Sequence, residues 1–371
     1  MGGEEMIGHN GKFDQRRVSV ECELRVIALW VTALSSIMFA VAPALVSPAI
    51  AADLNQQLTI YLNNRTRSSA RDEADRLLQL GKLQESGGFL MDAVSSWQQA
   101  LTIYQEIGDP EAASQAYSYL GLTYASLGKR VEAEDAFRRR LAVTRDRQDF
   151  EGQIYALNNL GRFLGQCGSV QAAQDLFVEA LEIADSIHSL KGQAVSHTSL
   201  GLLAYETKHY KLALQEYEVA LSTSRRALDS RNETFVLNNI GDVYRAQRAY
   251  RRSINYYGLA VKLARINRDR PNQYRAIDGL VFALNALGLY NQSWELLNER
   301  LKLALGQENP HQEMLSLQEF GQLYQQLGDY TKAKQYYQQA IAIARALRDV
   351  NQEDFLQERL ISLNRDAASN Y

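Results

Sequence analysis

Five histidines, two cysteines and many carboxylates are the raw material from which this 371-residue chain could build a reactive centre. Their spacing does not assemble one. His9, His188, His197, His209 and His311 are scattered, and none falls in H-E-x-x-H or another metal-ligand interval. There is no G-x-S-x-G, no phosphate loop and no cysteine–histidine pairing that would activate a nucleophile. Cys22 lies ahead of an apolar run and behind Glu21, so it is no lipid acceptor, and Cys167 reads as a small apolar filler near a helix end. The carboxylates sit on helix faces and at helix starts, where solvation or capping is their use. The sequence therefore predicts no enzyme, no catalytic residue, no metal and no cofactor.

What remains is the chemistry of recognition. Asparagines stand in pairs at Asn158, Asn159 and at Asn238, Asn239, and each amide offers a donor and an acceptor to another chain's backbone. From Arg225 to Arg275 there are 12 basic and 4 acidic residues, a stretch that reads either as solvated helix faces or as a docking patch for acidic segments. The whole chain has 40 basic and 43 acidic residues, of which four and five precede Ala52. The near-neutral remainder argues against bulk nucleic-acid binding.

The elements that position these residues recur with a fixed period. Stepping in forties from Gly81 gives Gly121, Gly161, Gly201, Gly241, Val281 and Gly321. Twelve residues after each stands a small residue: Ala93, Ala133, Ala173, Ala213, Ser253, Ser293 and Ala333. Sixteen after come Trp97, Phe137, Phe177, Tyr217, Tyr257, Leu297 and Tyr337, and twenty after an aliphatic residue throughout. That spacing is one face of an α-helix, and small residues at the first two columns let two helices approach closely. Twenty-eight residues after the glycine column come Asp109, Asp149, Ser189, Asp229, Asp269, Asn309 and Asp349, all able to cap a helix start. Pro110 and Pro310 follow two of them, and Gln312 and Gln352 suggest capping boxes. Each unit is thus one helix, a tight turn near residues such as Gly128, Gly168 and Gly328, and a second helix running to the next cap.

This two-helix unit resembles the tetratricopeptide repeat. Leu-Gly-x-x-Tyr-x-x-x-Gly at 120–128 and Phe-Gly-x-x-Tyr-x-x-x-Gly at 320–328 match its first helix, and Ala133 with Phe137, or Ala333 with Tyr337 and Ala340, its second. The 40-residue period, the terminal Asp and the Leu-Asn-Asn-Leu-Gly and Leu-Asn-Asn-Ile-Gly motifs at 157–161 and 237–241 are similar to kinesin light chain and the Pins family of polarity adaptors. Unit six departs, with Val281 in place of glycine and Gly279 two residues earlier, and Arg140 and Arg300 stand where the family has alanine. The resemblance implies a right-handed all-α solenoid of about seven hairpins. It also implies a concave wall built from first-helix residues just before and after the glycine column: Asn158, Asn159, Arg162, Tyr205, Asn238, Asn239, Asp242, Arg245 and Asp278, with Arg275 one turn earlier. Stacked hairpins predict one long groove with no deep enclosed cavity.

The N-terminus follows a different logic. Arg16, Arg17 and Arg25 precede an apolar run from Val26 to Val46, followed by Ser-Pro-Ala-Ile-Ala-Ala-Asp at 47–53, the pattern of an export signal cut before Ala52 or of an uncleaved anchor over 26–46. The sequence thus divides into a leader at 1–51, a linker or N-terminal cap at 52–73, seven units at 74–353 and a capping helix at 354–371. The expected protein is a non-catalytic scaffold in the periplasm or an equivalent lumen. Its expected partner is another protein, with a self-associating structural protein as the alternative, an enzyme on a helical toroid as a remote one, and no nucleic acid.

Overall fold

The structure, a computed structural model, describes residues 69–369; the leader and most of the linker expected from the sequence lie outside them. Fifteen helices and no strands make up the described residues, and consecutive helices pair as hairpins. The pairs are α1 (Ser69–Ser86) with α2 (Leu90–Glu106), α3 (Pro110–Ser126) with α4 (Arg130–Asp146), α5 (Phe150–Gln166) with α6 (Val170–Ser186), and α7 (Leu190–Glu206) with α8 (Tyr210–Arg226). They continue as α9 (Ser230–Ala246) with α10 (Tyr250–Asn267), α11 (Arg270–Ala286) with α12 (Tyr290–Leu305), and α13 (Pro310–Gln326) with α14 (Tyr330–Ala346); a single helix, α15 (Val350–Ser369), follows.

The links explain the regularity. Every twentieth residue from Gly88 to Arg348 has a positive φ, so each helix from α1 to α14 is followed by one left-handed residue. After α2, the amide of Gly108 donates to Gln105 O (3.2 Å) and that of Asp109 to Tyr104 O (2.8 Å), which satisfies the last carbonyls of the helix. The next residue then caps the following helix: Asp109, Asp149, Ser189, Asp229, Asp269, Asn309 and Asp349 each accept the amide three residues on. Within hairpins only Asp329 does so. The capping boxes do not close on the glutamine side, because Gln312 Oε1 is taken by Arg300 Nη2 (3.1 Å) and Gln352 Oε1 has no partner among the described residues.

Packing inside each hairpin follows the columns. All seven small residues, Ala93 to Ala333, are wholly buried, and the seven large ones that follow them are at most 1% exposed. A Cβ added at Gly121, Gly161, Gly201, Gly241 or Gly321 would lie 2.5 to 2.7 Å from the ring sixteen residues later, so at these five crossings the ring fills the space that a side chain would need. Unit six solves the same problem differently. Val281 (1% exposed) faces Leu297 (0%), a larger residue against a smaller one, and the ring of Tyr257 from the preceding hairpin lies against Gly279. Arg300 is buried against Asp278 (2.5 Å), Gln312 O (2.9 Å) and Ser316 Oγ (2.6 Å), which accounts for an arginine in an alanine column. Arg140 is also buried, and burial pulls its guanidinium down to about 10.

One contact lies outside the repeat logic. Asn309 Nδ2 donates to Ser86 O (2.8 Å) and Gly88 faces His311, so the α1–α2 link touches the start of α13. The array curls far enough for its first hairpin to meet its seventh.

Candidate functional site

That curl gathers the first helices of successive hairpins around one cavity of about 1220 Å³. The expected groove is deepest here, as a half-open pocket spanning α5 to α15. Curvature brings together side chains that are eighty or more residues apart, an effect that no single unit encodes.

Seven of the ten groove residues named from the sequence line it: Arg162, Tyr205, Asn239, Asp242, Arg245, Arg275 and Asp278. Asn158, Asn159 and Asn238 do not. Asn158 Nδ2 donates to Ile154 O (2.8 Å) and to Ser196 Oγ (3.1 Å) on α7, while Asn238 Nδ2 reaches Asn272 O (3.3 Å) on α11, so both amides bridge neighbouring first helices. Asn159 is 3% exposed. Successive helical residues are turned by about a hundred degrees, so Asn238 lies in the helix seam while Asn239, itself only 2% exposed, forms part of the cavity wall.

The centre of the wall is a fixed polar network. Asp242 accepts from Arg275 (2.7 Å), Arg245 (3.1 Å) and the Tyr257 hydroxyl (2.5 Å), and Arg275 also donates to Asn239 Oδ1. The guanidiniums of Arg275 and Arg162 lie 4.7 and 5.7 Å from the ring centre of Phe235, and Arg245 lies 5.0 Å from that of Phe282. Three lining side chains keep a polar atom buried without a partner among the described residues: Asn239 Nδ2, the Tyr217 hydroxyl and Asn285 Oδ1. Farther along stands Glu319, whose carboxyl burial pushes up to about 7; nearby Asp278 adds to this while Arg300 and Arg359 oppose it.

Glu206, Tyr217, Phe282, Glu319 and Arg359 escaped the sequence reading although they line the cavity. For two of them the signal was present. Glu319 and Arg359 stand 80 and 120 residues after Asn239, in the same column two places before the glycine position. Tyr217 belongs to the core column and is wholly buried, forming part of the cavity wall from behind. Among the described residues no group of three or more His, Cys, Asp or Glu side chains could hold a metal, and no helix is long and apolar enough to cross a membrane.

Three tetratricopeptide repeat family profiles match the sequence, at residues 116–149, 153–226 and 316–347. A comparison with curated proteins gives no match. Among solved structures, the fold is similar to the apo form of RapI, with 17% identity, 75% of this chain and 99% of that one covered, and a TM-score of 0.49. It is similar also to a Rap protein complexed with Competence and Sporulation Factor (12% identity, 81% and 100% covered, TM-score 0.48) and to the kinesin light chain TPR-like repeats of Podosopora anserina (19% identity, 52% and 96% covered, TM-score 0.45). The three matched segments are tetratricopeptide repeats, and the forty-residue columns and stacked helix pairs continue the same unit through the described residues.

Proposed function

We propose that the protein is a non-catalytic scaffold that holds an extended segment of another protein in the cavity between α5 and α15. The observation that carries this reading is the cavity wall itself, where the linked side chains of Arg275, Asp242 and Arg245 stand beside the rings of Phe235 and Phe282. An extended segment offers carbonyls and carboxylates to the guanidinium groups of that wall. Rings and guanidinium faces beside them give side chains apolar and stacking surface.

The leader pattern at 1–51 supports export to the periplasm or an equivalent lumen, with 26–46 as the anchor if it is retained. Cross-linking and co-purification from the exported fraction tests both ideas. Wild type should retain specific partners that Asn239→Ala/Arg245→Ala loses, and an unchanged partner set in the double variant would exclude this cavity. The N-terminal residue of the mature protein reports cleavage.

A second reading, end-to-end self-association, is favoured by α1. Leu80 (44% exposed) and Leu83 (70%) occupy columns that an adjoining hairpin covers elsewhere: Leu120, Leu160, Ile240, Leu280 and Phe320 in one, Phe163, Val243, Ala283 and Leu323 in the other, are all at most 9% exposed. A mass by light scattering that stays at the monomer value over a hundredfold range of concentration would remove this alternative.

A further inference from the structure

We infer that the outer face of α1 is the seat of the chain's own residues 54–65, wound as a further helix antiparallel to α1. The inference is independent of the cavity reading, and it gives the exposed leucines that favour self-association an intramolecular occupant.

α1 is the one first helix with no hairpin before it among the described residues. Along its outer face stand Glu73, Arg76, Leu80 and Leu83, all exposed. In later units the same face receives the preceding second helix: Phe163, in the Leu83 column, lies 5.6 Å ring to ring from Phe137 on α4. The Arg76 column holds Ala116, Ala156, Ser196, Val236, Ala276 and Ser316 elsewhere, each wholly buried.

The links between units show how a second helix meets the first helix that follows it. Arg225 Nε donates to Glu233 Oε1 (2.7 Å) across Asp229, and Arg345 Nε to Glu353 Oε1 (2.7 Å) across Asp349. Gln193 Nε2 reaches Asp185 Oδ1 (2.7 Å) across Ser189 in the same way. In all three the partners stand four places either side of the cap, so the two helices mirror each other about it.

The residues before α1 repeat that arrangement. Ser69 stands in the cap column, with Arg65 four places before it and Glu73 four places after. Tyr61, Leu58 and Leu54 follow at eight, eleven and fifteen places before, against Arg76, Leu80 and Leu83 at seven, eleven and fourteen after. Leu54, Leu58, Tyr61 and Arg65 fall at i, i+4, i+7 and i+11, one face of a helix. Folded back about Ser69, that face lays leucine on leucine, the Tyr61 ring beside the Arg76 guanidinium, and Arg65 on Glu73. Glu73 already accepts from Arg76 (2.6 Å), an exposed pair that contributes little and leaves a second carboxylate oxygen for Arg65.

Tethering favours this occupant over a second copy. Three residues separate Arg65 from Ser69, as three separate Arg225 from Asp229, and a segment attached so closely is present at an effective concentration of about a millimolar. The export cut expected before Ala52 removes none of it.

The test is disulfide formation in the full chain carrying Cys22→Ser and Cys167→Ser. Leu54→Cys/Leu83→Cys is compared with Leu54→Cys/Arg76→Cys, whose second site lies two turns away along α1. Leu83 and Arg76 are exposed, so neither change disturbs the core. The matched pair should close within one chain at least about tenfold faster than the control, because cysteines whose Cα atoms are more than about 7 Å apart do not bridge without backbone movement. Without any cysteine change, the amides of residues 54–65 should exchange at least about tenfold more slowly in wild type than in Leu80→Asp/Leu83→Asp. Matched cysteines that join two chains would assign the face to a second copy and overturn the inference. Equal closure of matched and control pairs, or equal exchange in wild type and the aspartate variant, would overturn it as well.

Discussion

The pairing of residues at the hairpin crossing can be exchanged. Unit six uses Val281 against Leu297 where the other units use glycine against an aromatic ring, and both residues are buried. Val281→Gly removes three buried carbons at about 0.8 kcal/mol each and adds a helix-propensity cost of about 0.5 kcal/mol, for a loss of about 3 kcal/mol. Leu297→Phe, facing Val281, overpacks the crossing by about 1–3 kcal/mol. Independent effects would sum to about 4–6 kcal/mol. The double variant instead recreates the arrangement of Gly161 with Phe177, where the ring occupies the space above glycine, and should lie within about 1 kcal/mol of wild type. Because an array can open one unit at a time, the readout is hydrogen exchange of the α11 and α12 amides together with the urea midpoint. Additive losses in the double variant would refute the idea that ring and glycine are one packing unit.

Asp149→Ala removes the acceptor of the Gly152 amide and should cost about 0.5–2 kcal/mol, whereas Lys129→Ala, at a link without a side-chain cap, should be nearly neutral; equal urea midpoints for the two variants would contradict the capping account. Glu319 has a folded-state value near 7, above its ordinary 4.5, so its contribution is fully present below pH 4.5 and fades as pH rises through 7. Glu319→Gln should therefore melt at the same temperature as wild type near pH 4.5 and, being more stable by at most about 3 kcal/mol, at a higher one at pH 8; a lower melting temperature at pH 8 would count against it. Burial pulls His311 below its ordinary value, so the unfolded chain takes up the proton first and the α1–α13 contact weakens as pH falls below about 6.5. The loss of melting temperature between pH 7.5 and 5.5 should be smaller in His311→Leu, and equal losses would dismiss the histidine.

How much was legible divides along a physical line. The columns of Ala173, Phe177 and Gly161 were readable because each unit meets an equivalent neighbour, so the same contact is demanded every forty residues and the sequence must repeat it. The caps were readable for the same reason: Asp109, Asp149 and their counterparts serve their own helix within three residues. Left-handed turns at Leu228 or Arg268 were not, since a twenty-residue helix-and-turn rhythm imposes them on residues that do not favour them.

The sequence by itself determined the hairpin, its register and the side of each first helix that faces inward, because these depend on contacts between near neighbours in the chain. Tertiary structure alone decided that the inner wall deepens into a half-open pocket, that Asn238 turns into a seam while Asn239 joins the wall, and that Glu319 and Arg359 share that pocket with Arg162. Those outcomes depend on the accumulated curvature of seven units, a sum of small rotations that brings Ser86 to Asn309 and that no single repeat records.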